Sequence, residues 1–354
     1  NDGGIFERDD AANTVRNDAH VFQPGAPIQE YGMDYAWSES GVLVSGTQDN
    51  GTIMTTHASD GSWSQITQCD GANNVSIDPQ NSSQFFWNSW CGDNPRFRTL
   101  NQGLTHENID NGLQEIFYSP IRLSKGGGQV LWTVTLAALY YSSNQGTSWR
   151  HATGATNDFS GTIPNSLSVN NWAPAGNKTC YVTFADNLNT PFLNERTQFY
   201  AAEGAPGSMT FRIGELFGNK IKYIIPDRWN ADWAFGLTLD EGPNRVYKST
   251  NRGHTWVDIS GNLPNGLAMS DIVVSQSYSQ AMYLATNMGM FKTLNGGASW
   301  FKFQSGLPVV DVSNIVYVPG MIVDTLRIGT FGRGYYQRLV SDVESPSGRR
   351  LVDL

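Results

Sequence analysis

The chain has 354 residues and a formal net charge of −9, with 23 basic and 32 acidic side chains and no basic block. A nucleic-acid surface needs clustered Lys or Arg against phosphate, so this composition argues against nucleic-acid binding. No run of about 18 apolar residues occurs, which argues against a membrane-spanning helix.

The composition indicates an all-β protein rich in turns. Charged residues make up 16%, below the usual quarter, while glycine occurs 37 times and aromatic residues make up 12%. Aromatic residues favour strands and glycine favours turns. The first four residues do not resemble a signal peptide, so we expect a mature form or the trailing part of a longer protein.

One pattern recurs seven times along the chain: an apolar strand, a short turn that often holds proline, and a second apolar strand that ends near threonine. The copies lie roughly forty to fifty residues apart, which is the size of a four-stranded propeller blade. Their runs are continuously apolar, as expected of strands buried on both faces. The paired segments are residues 33–37 and 42–47, 75–79 and 85–87, 116–120 and 130–135, 171–174 and 180–183, 223–226 and 233–238, 272–275 and 282–286, and 315–319 and 326–330.

This repeat predicts a single all-β propeller of about seven four-stranded blades over residues 1–341, followed by a C-terminal tail over residues 342–354. The end of the sequence supplies only three strands of the seventh blade. Closing the ring removes exposed strand edges, so we expect the N-terminal segment to complete that blade. A chain that begins at Gln23 is then expected to lose closure. The candidate pairs are residues 15–22 or residues 5–8 beside residues 335–340.

Turns that end in tryptophan mark the outer hairpin of three copies. Residues 142–149, 249–256 and 293–300 share the pattern S/T-x-N-x-G-x-S/T-W. The Asn side chain can bond backbone amides of the turn, and the Gly supplies a position with positive φ. We expect Trp256 to be buried between outer strands and Asn251 to bond its own turn.

These turns resemble the Asp-box (BNR) repeat, S-x-D-x-G-x-T-W, with Asn in place of Asp. Two poorer copies occur at residues 8–15 and 59–63. The corners at residues 46–52 and 329–335 resemble those of secreted bacterial relatives of family 74 glycoside hydrolases and sortilin-type receptors. The sialidases are a poor match, because the nearest motif, at residues 211–214, lacks proline and lies in mid-chain.

The resemblance to family 74 implies catalysis by two Asp residues, one of them in an early Asp-x-Gly-Gly corner. Asp49 lies in a comparable corner that lacks the second Gly. No motif identifies the partner acid, and the candidates are Asp70, on a link between blades, and Asp240. A glycosidase pair needs carboxyl groups about 5–9.5 Å apart.

The turns between the second and third strands of each blade and the links between blades open on one face, which we call the mouth. Loops there converge on the central channel and are expected to carry function. Its polar residues could form a glycosidase pair, a Ca²⁺ site of oxygen ligands, or solvated turns. We expect no cofactor, with Ca²⁺ as the alternative. The candidate binding residues are Asn50, Trp90, Asp93, Trp172, Asp186, Trp229, Glu241, Asn287 and Arg333.

The three cysteines match no zinc pattern. A Cys69–Cys91 disulfide and three free buried thiols, Cys180 included, remain alternatives.

Four sequons could carry glycans if a eukaryotic secretory route made the protein. Asn81 and Asn177 fall in turns and are expected to be exposed and modified first, whereas Asn74 precedes an inner strand. The fourth sequon is at Asn50.

Two functions remain open for an extracellular or cell-surface protein. The first is a non-enzymatic module that binds a glycan or another extracellular protein, or forms part of a surface assembly. The alternative is a polysaccharide-degrading enzyme, hydrolase or lyase, that uses Asp49 with Asp70 or Asp240.

Overall fold

The computed structural model describes the inner part of the chain as strands and turns. Its described residues form seven four-stranded antiparallel sheets, arranged as the blades of a single β-propeller. The predicted fold class is therefore confirmed. The described residues are 23–24, 30–36, 41–48, 50–56, 63–68, 71–89, 96–113, 120–124, 126, 129–154, 159, 163–170, 173–174, 176–185, 196–239, 242–243, 245–320 and 323–342.

The innermost strand of each blade lines the channel, and the second strand pairs with it on the outer side. The innermost strands, in blade order 1 to 7, are β2 (Glu30–Tyr35), β6 (Gly71–Ile77), β10 (Ile121–Ser124), β14 (Ile163–Val169), β18 (Ile221–Pro226), β22 (Met269–Val274) and β26 (Asp311–Val318). The second strands are β3 (Leu43–Thr47), β7 (Phe85–Ser89), β11 (Val130–Val134), β15 (Lys178–Ala185), β19 (Ala234–Thr238), β23 (Met282–Thr286) and β27 (Asp324–Phe331).

The two outer strands of each blade are mostly shorter. The third strands are β4 (Gly51–Thr55), β8 (Arg96–Thr99), β12 (Leu139–Ser142), β16 (Gln198–Gly204), β20 (Val246–Ser249), β24 (Gly289–Thr293) and β28 (Gly334–Val340). The outermost strands are β5 (Ser64–Thr67), β9 (Glu107–Asn108), β13 (Arg150–His151), β17 (Thr210–Glu215), β21 (Val257–Asp258), β25 (Phe301–Lys302) and β1 (Gln23–Pro24).

Two first strands differ from the prediction. In blade 4 the first strand is Ile163–Val169, and Ala173 and Pro174 lie in the turn that follows it. The strand predicted at residues 171–174 is wrong, because its proline lies in a turn. The observed strand was not recognised in the sequence because polar residues interrupt its apolar run. In blade 3 the strand is Ile121–Ser124, one step beyond the prediction, whose first four residues are not described.

The N-terminal segment completes blade 7, as predicted, but through different residues. Gln23 pairs with Gln337 and Pro24 with Tyr336 in the antiparallel pair β1–β28. A chain beginning at Gln23 keeps this pair, so this pairing gives no reason for the loss of closure predicted for that truncation, which a measurement has to test. The proposed partners at residues 5–8 and 15–22 are not among the described residues.

The C-terminal end of the ring is held to blade 6. Asp342 is buried and forms an ion pair with Lys292, with Oδ1 and Nζ 2.6 Å apart. The Tyr283 hydroxyl donates to the same carboxylate. The anchored part of the chain therefore includes the first residue assigned to the tail, whereas residues 343–354 are not described.

The core consists of apolar layers between blades. Each of the seven blade interfaces holds one buried cluster, from the layer around Trp87 between blades 1 and 2 to the layer around Tyr35 between blades 7 and 1. The second strands are buried along nearly their whole length because both of their faces pack on neighbouring blades. Burying both faces explains the continuous apolar runs in the sequence.

The tryptophan-ending turn of blade 5 is fixed by its own side chains. Asn251 Oδ1 accepts the Thr255 backbone N–H at 2.9 Å, and Asn251 Nδ2 donates to the Thr255 hydroxyl at 2.9 Å. The Gly253 N–H donates to the Ser249 hydroxyl at 2.7 Å. Gly253 has φ of 79°, a left-handed conformation that favours glycine. Trp256 is buried at 9% exposure, so the predictions for Trp256 and Asn251 are confirmed.

The same bonds recur in the turns of blades 2, 3 and 6. The turn of blade 2, residues 99–106, was missed in the sequence because His106 stands where the other copies have Trp. The equivalent bonds are Thr105 N–H to Asn101 Oδ1, Ser148 N–H to Asn144 Oδ1 and Ser299 N–H to Asn295 Oδ1, at 2.9, 3.0 and 2.9 Å. We call these four turns the box turns and the face that carries them the box face. They lie opposite the mouth, at the ends of the third strands.

Candidate functional site

Threonine side chains hold the corners of the mouth in three consecutive blades. Thr47 donates to Gly51 O at 2.7 Å, Thr286 to Gly289 O at 2.8 Å and Thr330 to Gly334 O at 2.6 Å. Each bond closes the turn between a second and a third strand. The blades concerned, 6, 7 and 1, are neighbours around the ring, so this sector of the mouth has tight, fixed corners.

Three of the predicted binding residues lie on these corners. Asn50 Nδ2 donates to Gln48 O at 2.8 Å, and Asn287 Oδ1 accepts the Ala268 N–H at 3.1 Å. Both amides therefore support their own loops. The Arg333 side chain is exposed, and among the described residues only its backbone N–H forms a hydrogen bond, to the Thr330 hydroxyl. Arg333 can therefore contact a ligand without breaking an intramolecular bond of the corner.

Most predicted site residues fall outside the described part of the chain, and their roles stay predictions. The candidate catalytic and binding residues concerned are Asp49, Asp70, Asp240, Trp90, Asp93, Trp172, Asp186 and Glu241, and the disulfide candidates are Cys69 and Cys91.

Trp229 lies on the box face, in the turn between β18 and β19. Its indole N–H donates to Val274 O at 3.1 Å, and its ring meets Tyr317 edge-on at 6.3 Å between centroids. The side chain is half-buried. Trp229 is thus separated from Asn50, Asn287 and Arg333 by the depth of the ring.

Large apolar side chains are exposed around the mouth. Phe217 is 70% exposed and Val309 is 62% exposed, and both lie on links between blades. Met288 and Phe331, at the corners of blades 6 and 7, are each 42% exposed. Exposed apolar groups of this size commonly mark binding surfaces when they cluster. The described part of the mouth therefore offers apolar contacts beside the free Arg333.

The central channel forms a cavity of about 210 Å³, lined by the innermost strands of all seven blades. The charged residues that line it are Asp34, Arg122, Asp227, Arg228 and Asp271, and sequence reasoning did not place them in a channel. The signal that could have found Asp34, Arg122 and Asp271 is a charged residue within an otherwise apolar first strand.

Polar side chains of the channel tie neighbouring blades together. Several such bonds join innermost strands among the described residues, each between a side chain and the backbone of the next blade. They are Ile77 N–H to Asp34 at 3.0 Å, Leu123 N–H to Ser76 at 3.3 Å, Ser168 to Ile224 O at 2.5 Å, Ile315 N–H to Asp271 at 2.8 Å and Met33 N–H to Asn314 at 3.1 Å.

Arg228 bridges the channel near the box face. Its guanidinium donates to Tyr317 O in blade 7 at 3.0 Å and lies 3.5 Å from the Asp34 carboxylate in blade 1. It also lies over the Tyr35 ring, 5.1 Å from the centroid. Since Arg228 itself belongs to blade 5, it crosses the opening, and a ligand would enter the channel more easily from the mouth.

Asp271 is a channel acid whose pKa is raised. Burial raises its pKa to about 6, although hydrogen bonds from the Ile315 and Ile272 backbones and the charges of Arg228 and Arg122 oppose that rise. The group can therefore hold a proton in mildly acidic solution. It already accepts three hydrogen bonds, from Ile315, Ile272 and the Asn314 amide.

The two sequons predicted to be accessible are exposed. Asn81 and Asn177 both lie in turns between first and second strands. Asn81 Oδ1 accepts the Ser83 N–H at 3.1 Å, and Asn177 Oδ1 accepts a bond from Arg252. Asn74 lies within β6. The predicted exposure is confirmed, and glycosylation stays a prediction.

The described residues bear on metal binding and on membrane insertion. No group of three or more His, Cys, Asp or Glu side chains there is placed to hold a metal ion. No helix within the same residues is long and apolar enough to cross a membrane.

Cys180 is buried as a free thiol in β15.

No protein-family model matches the chain. A curated xyloglucanase from Paenibacillus sp. is 26% identical over 222 residues, which cover 60% of this chain and 20% of that protein. The chain therefore spans about a fifth of the length of the curated relative that it matches.

Solved structures share the fold at low sequence identity. The GH74 xyloglucanase from Xanthomonas campestris has a TM-score of 0.63 at 16% identity, over 93% of this chain and 55% of that chain. YCF48 from Cyanidioschyzon merolae has a TM-score of 0.63 at 14% identity, over 90% and 98%. YCF48 bound to D1 peptide has a TM-score of 0.61 at 13% identity, over 93% and 97%. At such identities the likeness shows the propeller fold alone.

Proposed function

We propose that the protein is a secreted or cell-surface propeller that binds a glycan or another extracellular protein at its mouth, without catalysing a reaction. The observation that carries the proposal is the engagement of the channel carboxylates. Asp34 and Asp271 each accept backbone N–H groups from their own and the next blade. Glycoside hydrolysis needs two carboxyl groups free to face a sugar, and these two instead hold the ring together.

The mouth supplies the contacts that a binding role needs. Phe331 and Arg333 lie on one corner of blade 7, and Met288 lies on the adjacent corner of blade 6. An aromatic ring, an apolar chain and a guanidinium are the side chains that most often anchor protein interfaces. Aromatic rings also stack on sugars. We propose that this corner is the centre of the binding surface.

We infer that the four box turns are Asp-box turns in which Asn replaces Asp. The support is their common spacing and hydrogen bonding. Asn can both accept the backbone N–H and donate to the following hydroxyl, so it satisfies the turn without a charge. Their place on the box face leaves the mouth free for ligands.

A polysaccharide-degrading enzyme is the second candidate. The observation that favours it is the 26% identity with a xyloglucanase. The candidate acids would be Asp49 with Asp70 or Asp240, and no cofactor is proposed in either case. Ca²⁺ binding by acidic residues of the mouth remains the alternative to a metal-free site.

Binding to a printed array of plant and algal oligosaccharides, and to immobilised peptides, tests the first proposal. We expect bound signal from the wild type and at least a fivefold weaker signal from Phe331→Ser and Arg333→Ala. Val257→Ser, which removes an exposed apolar side chain from the outermost strand of blade 5, is the matched control and should leave the signal unchanged. A bound signal that is as strong in both mouth variants as in the wild type would contradict the proposed surface.

A further inference from the structure

A second cavity opens on the box face, away from the mouth, where the outer strands of blade 1 meet the box turn of blade 2. Its volume is about 330 Å³. We call it the side pocket and define it by its lining residues, chiefly Met54, Ser64, Gln65, Ile66, Gln102 and Leu104. No charged side chain is among the described residues that line it.

An indole fills the corresponding space between blades 2 and 3 and between blades 5 and 6. Trp149 of blade 3 donates to Ile109 O of blade 2 at 2.6 Å, and Trp300 of blade 6 donates to Ile259 O of blade 5 at 2.8 Å. In each case the box tryptophan reaches back to the isoleucine that directly follows the outermost strand of the preceding blade. The indole therefore seals the outer edge of the interface.

Ile66 is the equivalent isoleucine for the side pocket. The box-turn glycine of blade 2 packs directly on Ile66, so that a Cβ at Gly103 would lie 2.4 Å from its side chain. A Cβ at Gly146 would likewise lie 2.7 Å from Ile109. Ile66, Ile109 and Ile259 thus occupy one position of the repeat. The pocket beside Ile66 therefore lies where a box tryptophan lies at the other two isoleucines.

Blade 2 has no tryptophan to fill this slot, because its box turn ends in His106. The His106 side chain is exposed and lies against Trp87 and Phe97, with ring centroids 5.8 Å away in both cases. Imidazole is smaller than indole, so the space beyond it stays open. The side pocket is the space that remains.

The rim of the pocket is unusually apolar for a turn. Leu104 is 85% exposed and Leu100 is 41% exposed, and both belong to the blade 2 box turn. The positions equivalent to Leu104 in the other box turns hold Thr147, His254 and Ala298. Leu104, which also lines the pocket, therefore adds an exposed apolar contact at its edge.

We propose that the side pocket docks an aromatic side chain, of the size of tryptophan, from a partner polypeptide. The partner ring takes the place of the indole that blade 2 lacks. An apolar cavity of about 150 Å³ binds benzene, so the side pocket has room for an indole. Ser64, Gln65 and Gln102 line the pocket and offer oxygen acceptors for an indole N–H. The described lining residues offer no opposite charge to an arginine or carboxylate ligand.

N-acetyl-L-tryptophanamide is the probe, titrated into the intact chain labelled at its methionine methyl groups. We expect a saturable shift of the Met54 methyl NMR signal. His106→Trp fills the slot from within and should weaken the probe at least tenfold. His254→Trp, the matched control on the blade 5 box turn, should leave the affinity unchanged.

Leu104→Ser covers the case in which His106→Trp does not fold, because the exposed Leu104 contributes little to the core. We expect it to weaken the probe at least threefold. A wild-type Met54 signal that does not saturate, or equal affinity in all variants, would overturn the proposal. Saturation by methyl β-D-xyloside instead of the indole would also overturn it. Each result leaves the mouth variants untouched, so this proposal can fail without the proposed function failing.

Discussion

The Asp271 carboxylate of blade 6 accepts the backbone N–H of Ile315 in blade 7 at 2.8 Å. This bond is one of several between innermost strands, and it makes a channel acid part of the ring's framework. Burial raises the pKa of the same group to about 6, against the opposing effect of this bond. Protonation of Asp271 therefore links the stability of the ring to pH.

The Asp271→Asn variant tests this link. The folded pKa lies above the ordinary 3.8, so the folded state binds more protons than the unfolded state between these values, and stability rises as pH falls from about 6 to about 4. The gain is at most about 1.4 kcal/mol per pH unit, because a single carboxyl group binds one proton. Asp271→Asn should lack this rise in urea titrations at pH 4 to 7. Ser168→Ala removes an uncharged hydrogen bond between blades and should lower stability equally at every pH. Equal pH slopes for Asp271→Asn and wild type would refute the assignment.

The two buried box tryptophans should respond differently to Trp→Phe substitution. The Trp300 N–H donates to Ile259 O, whereas the Trp256 N–H has no hydrogen-bond partner among the described residues. Trp300→Phe leaves a carbonyl without its donor, so we expect it to cost about 1–3 kcal/mol more than Trp256→Phe. Trp256→Ala should cost about 3–5 kcal/mol, as for other buried aromatics. Equal losses for the two Phe variants in chemical denaturation would contradict the role of the N–H bond.

The box turns should accept aspartate at Asn251. Asn251→Asp keeps the acceptor for the Thr255 N–H, and the Thr255 hydroxyl can turn to donate. We expect a change below about 0.5 kcal/mol at pH 7, against a loss of about 1 kcal/mol for Asn251→Ala. Thermal melts of the three proteins at one pH decide the matter. An aspartate variant as unstable as the alanine variant would show that these are not Asp-box turns.

Ring closure should depend on residues 23–24. Removing residues 1–22 keeps the β1–β28 pair, whereas removing residues 1–29 deletes β1 and exposes the edge of β28. We expect the shorter truncation to melt within about 2 °C of the full chain and the longer one to melt well below it, since about 1 kcal/mol shifts a melt by a few degrees. Identical melting of the two truncations would mean that β1 does not stabilise the ring.

The seven blades could be predicted because each inner hairpin buries both faces and so leaves an apolar run in the sequence. The first strand of blade 4 could not, because polar residues such as Asn165 and Ser166 are buried there and break the run. The fourth box turn was missed because His106 hides the motif. Asp34 and Asp271 were missed because their role is to bond the next blade, a contact that depends on ring geometry rather than on local pattern.

The central claim is that this propeller binds its ligand without hydrolysing it. The most direct measurement is the release of reducing ends from xyloglucan by the purified chain, alongside Asp49→Asn, Asp70→Asn and Asp240→Asn. The account predicts no release above the enzyme-free blank for any of the four proteins. Release by the wild type that any one of these substitutions abolishes would contradict it and establish the polysaccharide-degrading alternative.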